Sequence, residues 1–164
     1  MKEIFTSVMI PFAVALLSGL VLVGAGEVAL ATEAPTPTHK QTSEQVYQRL
    51  LSARFFAFGG VGFAGTPSEG ERAFHTILAS ANALELFKSA LTSTDTRAEA
   101  SLYALCGIRR LAPEAFVSHA RALVARNPKV RTMSGCIAME DRASNIVARI
   151  AGGSYDLYVG NSKR

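Results

Sequence analysis

The sequence predicts an all-α fold: one compact helical domain built of helical hairpins, with a single short extended segment. Three observations carry that expectation. Residues 97–111, RAEASLYALCGIRRL, are apolar at nearly every helical angle, through Ala98, Ala100, Leu102, Tyr103, Ala104, Leu105, Cys106, Ile108 and Leu111. A helix apolar all round sits inside a core rather than on its edge. On both sides of it, apolar residues recur at helical spacing and are punctuated by capping residues and prolines. Finally, 164 residues give room for one domain with a real core and not for two.

In chain order, residues 1–31 read as an export segment. Lys2 precedes an uncharged run from Ile4 to Gly26, and Ala29-Leu30-Ala31 fits a signal-peptidase site that leaves Thr32 as the mature start. An uncleaved inner-membrane anchor over residues 4–26 is the rival reading; Pro11, Gly19, Gly24 and Gly26 favour cleavage. Either way the domain faces an exported compartment, periplasmic or secreted. Residues 32–43 mix Pro, Thr and charge without periodicity and form a disordered linker.

The helical domain spans residues 44–153. Ser43 caps a first helix running to about Phe56, with Val46, Leu50, Leu51 and Phe55 on one face. A glycine-rich loop follows, and Ser68 with Glu71 forms a capping box for a second helix through Ala79. Asn82 starts a third, carrying Leu84, Phe87 and Leu91. Asp95 or Thr96 caps the central helix. Pro113 opens a fifth helix that ends before Pro128. Residues 130–139, VRTMSGCIAM, lose the helical period and form the extended segment. Asp141 caps a last helix closed by Gly152-Gly153. Residues 154–164 are a C-terminal tail whose Tyr155, Leu157 and Tyr158 pack back on the domain. Helices two and three, then four and five, make two hairpins whose spacing, with LYALCGIRRLAPEAF, is HEAT-like.

Charge excludes one class of partner. The net +4 becomes +5 once residues 1–31 are set aside, and the positives are scattered, with only Arg109-Arg110 adjacent in the domain proper. A nucleic-acid binder gathers its basic residues on one face or in a run, so no nucleic acid is expected. A membrane enters only if the N-terminal segment stays uncleaved, and the expected partner is an unidentified protein.

Cys106 and Cys136 are the only cysteines, and two thiols in an exported domain predict a disulfide. It would tie the central helix to the extended segment and, for a loop of this length, stabilise by about 3.5 kcal/mol. A Cys–His nucleophile would need a free thiol and His39, His75 or His119 beside it, so no catalytic residues are expected. Met133, Cys136 and Met139 form M-x-x-C-x-x-M, which a soft ion such as Cu(I) could use. In an extended segment that spacing sends the sulfurs to different faces, so no metal is expected.

Residues 60–65 spell G-x-G-x-x-G, but a helix precedes them and Pro67 follows, so neither the strand nor the helix of a dinucleotide site is in place. No cofactor is expected. The glycines instead make a turn on which Phe58, Val61 and Phe63 pack, and an exposed version of that turn would be a docking patch for a partner.

GVGFAGTPSEGE, LYALCGI and TMSGCI, followed by a terminal helix, together resemble a group of uncharacterised exported bacterial proteins over most of residues 60–153. The resemblance implies export and supports the cysteine pair, but brings no activity with it. The expected role is therefore non-enzymatic: binding or scaffolding in the bacterial envelope. The alternative is thiol or metal handling by Cys136 with Met133 and Met139.

Overall fold

A computed structural model of the protein describes residues 42–160. The export segment, nearly all of the linker and residues 161–164 lie outside the described residues. The order is α1 (Ser43–Leu51), β1 (Gly60–Val61), β2 (Thr66–Pro67), α2 (Glu69–Leu78), α3 (Ala83–Thr92) and α4 (Ala98–Leu111). A 3-10 turn (Pro113–Ala115) leads into α5 (Phe116–Arg126), then β3 (Lys129–Ser134), β4 (Ile137–Arg142), α6 (Ala143–Ala151) and α7 (Asp156–Val159). The described chain is thus mostly helical, with two small antiparallel sheets that the all-α expectation left out.

The central helix is where the periodicity placed it. Every residue of α4 from Glu99 to Ile108 is buried, and α1, α2, α3, α5, α6, α7 and β3 all pack on it. Gly107 makes the approach of α3 possible, because a Cβ there would stand 2.3 Å from the Phe87 ring. Beside this contact Phe56, Phe58, Phe74, Tyr103 and Tyr155 form a continuous aromatic cluster, with ring centroids about 5–6 Å apart. Edge-to-face pairs at such separations add to burial alone. Tyr155 and Tyr158 pack back as expected, whereas Leu157 stays 83% exposed.

Several helix ends differ from expectation, each for a visible reason. Thr42, not Ser43, caps α1, in a reciprocal box with Gln45. The helix stops at Leu51, well short of Phe56, because Phe56 is drawn into strand pairing: its N–H donates to the Arg131 carbonyl at 2.8 Å. Tertiary pairing wins over a weak local preference. Neither Asp95 nor Thr96 caps α4; the N-cap is Arg97, with no side-chain bond. Asp141 does not cap α6 either. It lies in β4 and accepts from Arg142 N, Asn145 Nδ2 and Arg149 Nη2, of which the Asn145 bond does most to hold its carboxyl below the usual range. The capping falls to Asn127, whose backbone ends α5 in the left-handed region at φ 41° and whose Oδ1 accepts from Ser144 N at 3.0 Å.

The single extended segment proves to be a hairpin. β3 and β4 pair antiparallel from Lys129↔Arg142 to Ser134↔Ile137, around Gly135-Cys136. Gly135 has φ +54° and Cys136 a negative φ, the pattern of a two-residue turn with glycine first.

Candidate functional site: a paired hairpin tip

Two turns meet at one end of the molecule. Gly62 N donates to the Gly135 carbonyl at 2.8 Å, and Val61 bridges Gly135, so the β1–β2 turn lies beside the β3–β4 turn. Gly62 and Gly65 sit at φ +69° and +60°, which lets the first turn close within so few residues. Neither turn carries a charge: residues 59–68 and 133–139 hold no Asp, Glu, Lys or Arg. What they present is apolar. Phe63 is 103% exposed, Ile137 65% and Met139 51%, with the exposed Cys136 between the strands. The expectation that Phe63 packs on its own turn is therefore wrong, whereas Phe58 does pack, against Phe56, Phe74 and Tyr103. The turn places Phe63 beyond the last residue paired in β1, where no core element reaches it.

Three side chains of the helical core hold these turns in place. Tyr103 of α4 donates its hydroxyl to the Ala57 carbonyl at 2.6 Å, accepts from Ala57 N at 2.9 Å and touches Ser68 Oγ at 3.0 Å. Burial holds its phenol neutral well above the usual range. The Glu71 carboxylate of α2 accepts from Gly59 N at 3.0 and 3.2 Å. Burial pushes Glu71 up, against the Gly59 and Ser68 amides and Arg72, which pull it down. Glu99 of α4 accepts from Arg131 N at 3.0 Å, fastening β3. The sequence expectation gave Glu71 only a capping-box role with Ser68. Ser68 Oγ does accept from Glu71 N, but the Glu71 carboxylate turns away to the loop. A buried carboxylate that meets a backbone N–H is satisfied; one left alone would cost several kcal/mol.

The cysteines are not brought together, which corrects the predicted Cys106–Cys136 disulfide. Both thiols are free: Cys106 is buried in α4 and Cys136 is exposed at the tip. The hairpin docks on α4 through Glu99, two helical turns before Cys106, and Cys136 lies five residues beyond Arg131 on a hairpin leading to solvent. The few ångströms between Cα atoms that a bridge requires are not available. Cys106 instead lines a cavity with Arg109, Ile150 and Val159, and burial pushes its thiol up.

The hairpin register also separates the methionines. Met133 pairs with Ala138 and Met139 with Thr132, so Met133 and Met139 occupy opposite faces of β3–β4. No group of three or more His, Cys, Asp or Glu side chains able to hold a metal ion occurs among the described residues. Nor is any helix among them long and apolar enough to cross a membrane. His75 lies 3.9 Å from Glu71 on α2, far in sequence and in element from either thiol, and burial lowers its pKa. No protein-family model, curated protein or solved structure matches the chain.

Proposed function

We propose that this chain is a non-enzymatic, exported helical domain that binds or scaffolds a protein partner in the bacterial envelope through its paired hairpin tip. The observation that carries the reading is the fully exposed Phe63, with Ile137 and Met139 exposed on β4 of the neighbouring hairpin, in stretches of chain that hold no charged residue. Interface centres are depleted of charge and enriched in aromatics and Met. A single exposed apolar residue needs no explanation, but three on a turn and an adjoining hairpin, both held by buried hydrogen bonds, do. The helical hairpins α2–α3 and α4–α5, read as HEAT-like units, supply the rigid body behind the tip. Export and the bacterial envelope rest on the uncharged N-terminal run and the Ala29–Ala31 cleavage pattern.

The test is capture of envelope proteins by the purified domain, with and without Phe63→Asp and Ile137→Asp. Both side chains are exposed, so neither change is expected to move the melting temperature. The expected result is a defined set of proteins held by the wild type and weakened about tenfold or more by each variant, the loss typical of a central interface residue. Equal capture by wild type and variants overturns the assignment of the tip.

A further inference from the structure

The β3–β4 hairpin leaves one strand edge open. Arg131 turns its backbone towards the core: its N–H donates to Glu99 and its carbonyl accepts from Phe56. Arg131↔Glu140 is therefore a pair without mutual hydrogen bonds. The alternation of an antiparallel ladder then turns the N–H and C=O of Glu140, and those of Ala138, away from β3. Among the described residues no group meets them, whereas the next outward amide, that of Arg142, is answered by the Asp141 carboxylate at 2.7 Å. Residues 137–140 are all exposed. Natural edge strands are guarded by charge, proline or a bulge. This stretch has no proline and no bulge, and its one charge, Glu140, is ion-paired with Lys129 at 3.4 Å.

The open edge is complementary to itself. In an antiparallel second copy centred on Ala138, Ile137 falls beside Met139 of the second copy and Met139 beside its Ile137, in the closely spaced pairs that share no hydrogen bond. Both side chains stand on the face that carries the buried Val130 nearer the core. On the other face Ala138 meets Ala138, and Glu140 meets the uncharged Cys136. Other centres are worse. On Met139, Ile137 would oppose Asp141; on Glu140, that carboxylate would oppose itself. We propose that the protein forms a symmetric dimer through β4, Ala138 pairing with Ala138 about a two-fold axis to give a continuous four-stranded sheet. The interface uses Ile137 and Met139 but not Phe63, which lies with the β1–β2 turn beside the other edge of the hairpin. The dimer therefore does not depend on the capture of another protein.

Sedimentation equilibrium of the purified protein reads the dimer. Ala138→Pro is the discriminating variant. It removes one outward donor from each copy and no bond of the hairpin, because Ala138 faces Met133 in a pair without hydrogen bonds. The expected result is a mass that rises with concentration towards the dimer for the wild type and for Phe63→Asp. In Ala138→Pro the association should weaken about tenfold or more, through two lost hydrogen bonds. Register is read separately: Cys136→Ser with Ala138→Cys should give a disulfide-linked dimer under mild oxidation. Residues opposed in a hydrogen-bonded pair have Cα atoms about 5.5 Å apart, within bridging range. That cross-link decides alone if Ala138→Pro lowers the melting temperature. A wild type that stays monomeric up to about 1 mM, a dimer unmoved by Ala138→Pro or lost with Phe63→Asp, or no cross-link at residue 138 each overturns the proposal.

Discussion

Gly107→Ala is a change that helix propensity alone would score as stabilising, and the packing of α3 on α4 predicts the reverse. Replacing a mid-helix glycine by alanine gains about 1 kcal/mol in an exposed helix. Here the new Cβ would lie 2.3 Å from both Phe87 Cδ2 and Cε2 and 2.7 Å from Cζ. Carbon atoms in contact prefer about 3.5–4.0 Å, so the ring must retreat by more than an ångström. It has nowhere to go: Phe87 is fully buried, and its ring lies 5.5 Å from that of Phe74. Overpacking of this kind costs about 1–3 kcal/mol, and a rigid buried ring puts it at the upper end. The net expectation is a destabilisation of about 2 kcal/mol, read as a lower urea midpoint at unchanged slope. Shortening the neighbour should give much of it back, so Gly107→Ala with Phe87→Leu should be less than additive by about 1 kcal/mol. A Gly107→Ala protein as stable as the wild type, or two changes that simply add, would refute the close approach of α3 to α4.

Two further expectations concern the thiols and pH. Under native conditions a maleimide should label Cys136 rapidly and Cys106 only as fast as the domain unfolds, because one thiol is exposed and the other is buried and held protonated; two unreactive thiols released only by reductant would restore the disulfide. His75 is held below its ordinary value of 6.5 by burial, so its stabilising contribution is complete above that pH and is lost as pH falls through the folded value. Glu71, raised by burial, works in the opposite sense, its contribution being present below 4.5 and lost as pH rises through its folded value. His75→Gln should therefore flatten the fall in urea midpoint just below pH 6.5, and an unchanged pH profile would exclude His75 as its source.

What could be read from the sequence was what local pattern controls. The burial of α4 follows from its all-round apolar surface, and Ser68 caps α2 because a side chain and an amide three residues away need no tertiary help. Two of the failures share a cause, which is a partner distant in sequence. Glu99 reaches Arg131 across 32 residues and Tyr103 reaches Ala57 across 46. No periodicity announces either bond, and Tyr103 reads from the sequence only as one more apolar position of the central helix. The cysteine pairing failed differently. A count of two thiols, joined to an expected export, ignored a local signal, because Gly135 beside Cys136 marks a turn between two short alternating runs. Reading Ser134-Gly135-Cys136-Ile137 as a hairpin tip would have put that thiol in solvent.

The same long-range bonds explain why an exposed tip is compatible with an ordered one. Short glycine-rich turns usually carry much backbone entropy, and fixing a residue costs about 1–2 kcal/mol. Ordering must come from contacts beyond the turns themselves. At this end of the molecule it comes from α2 and α4, through Glu71 on Gly59, Tyr103 on Ala57 and Glu99 on Arg131, all buried side chains meeting backbone groups. Gly62 then ties the first turn to the second at Gly135. The chain of contacts thus runs from the centre of the core to the base of Phe63 without a charged side chain in either turn. A partner that closes on Phe63 and Ile137 meets a surface already ordered, so little of the binding free energy is lost in fixing it.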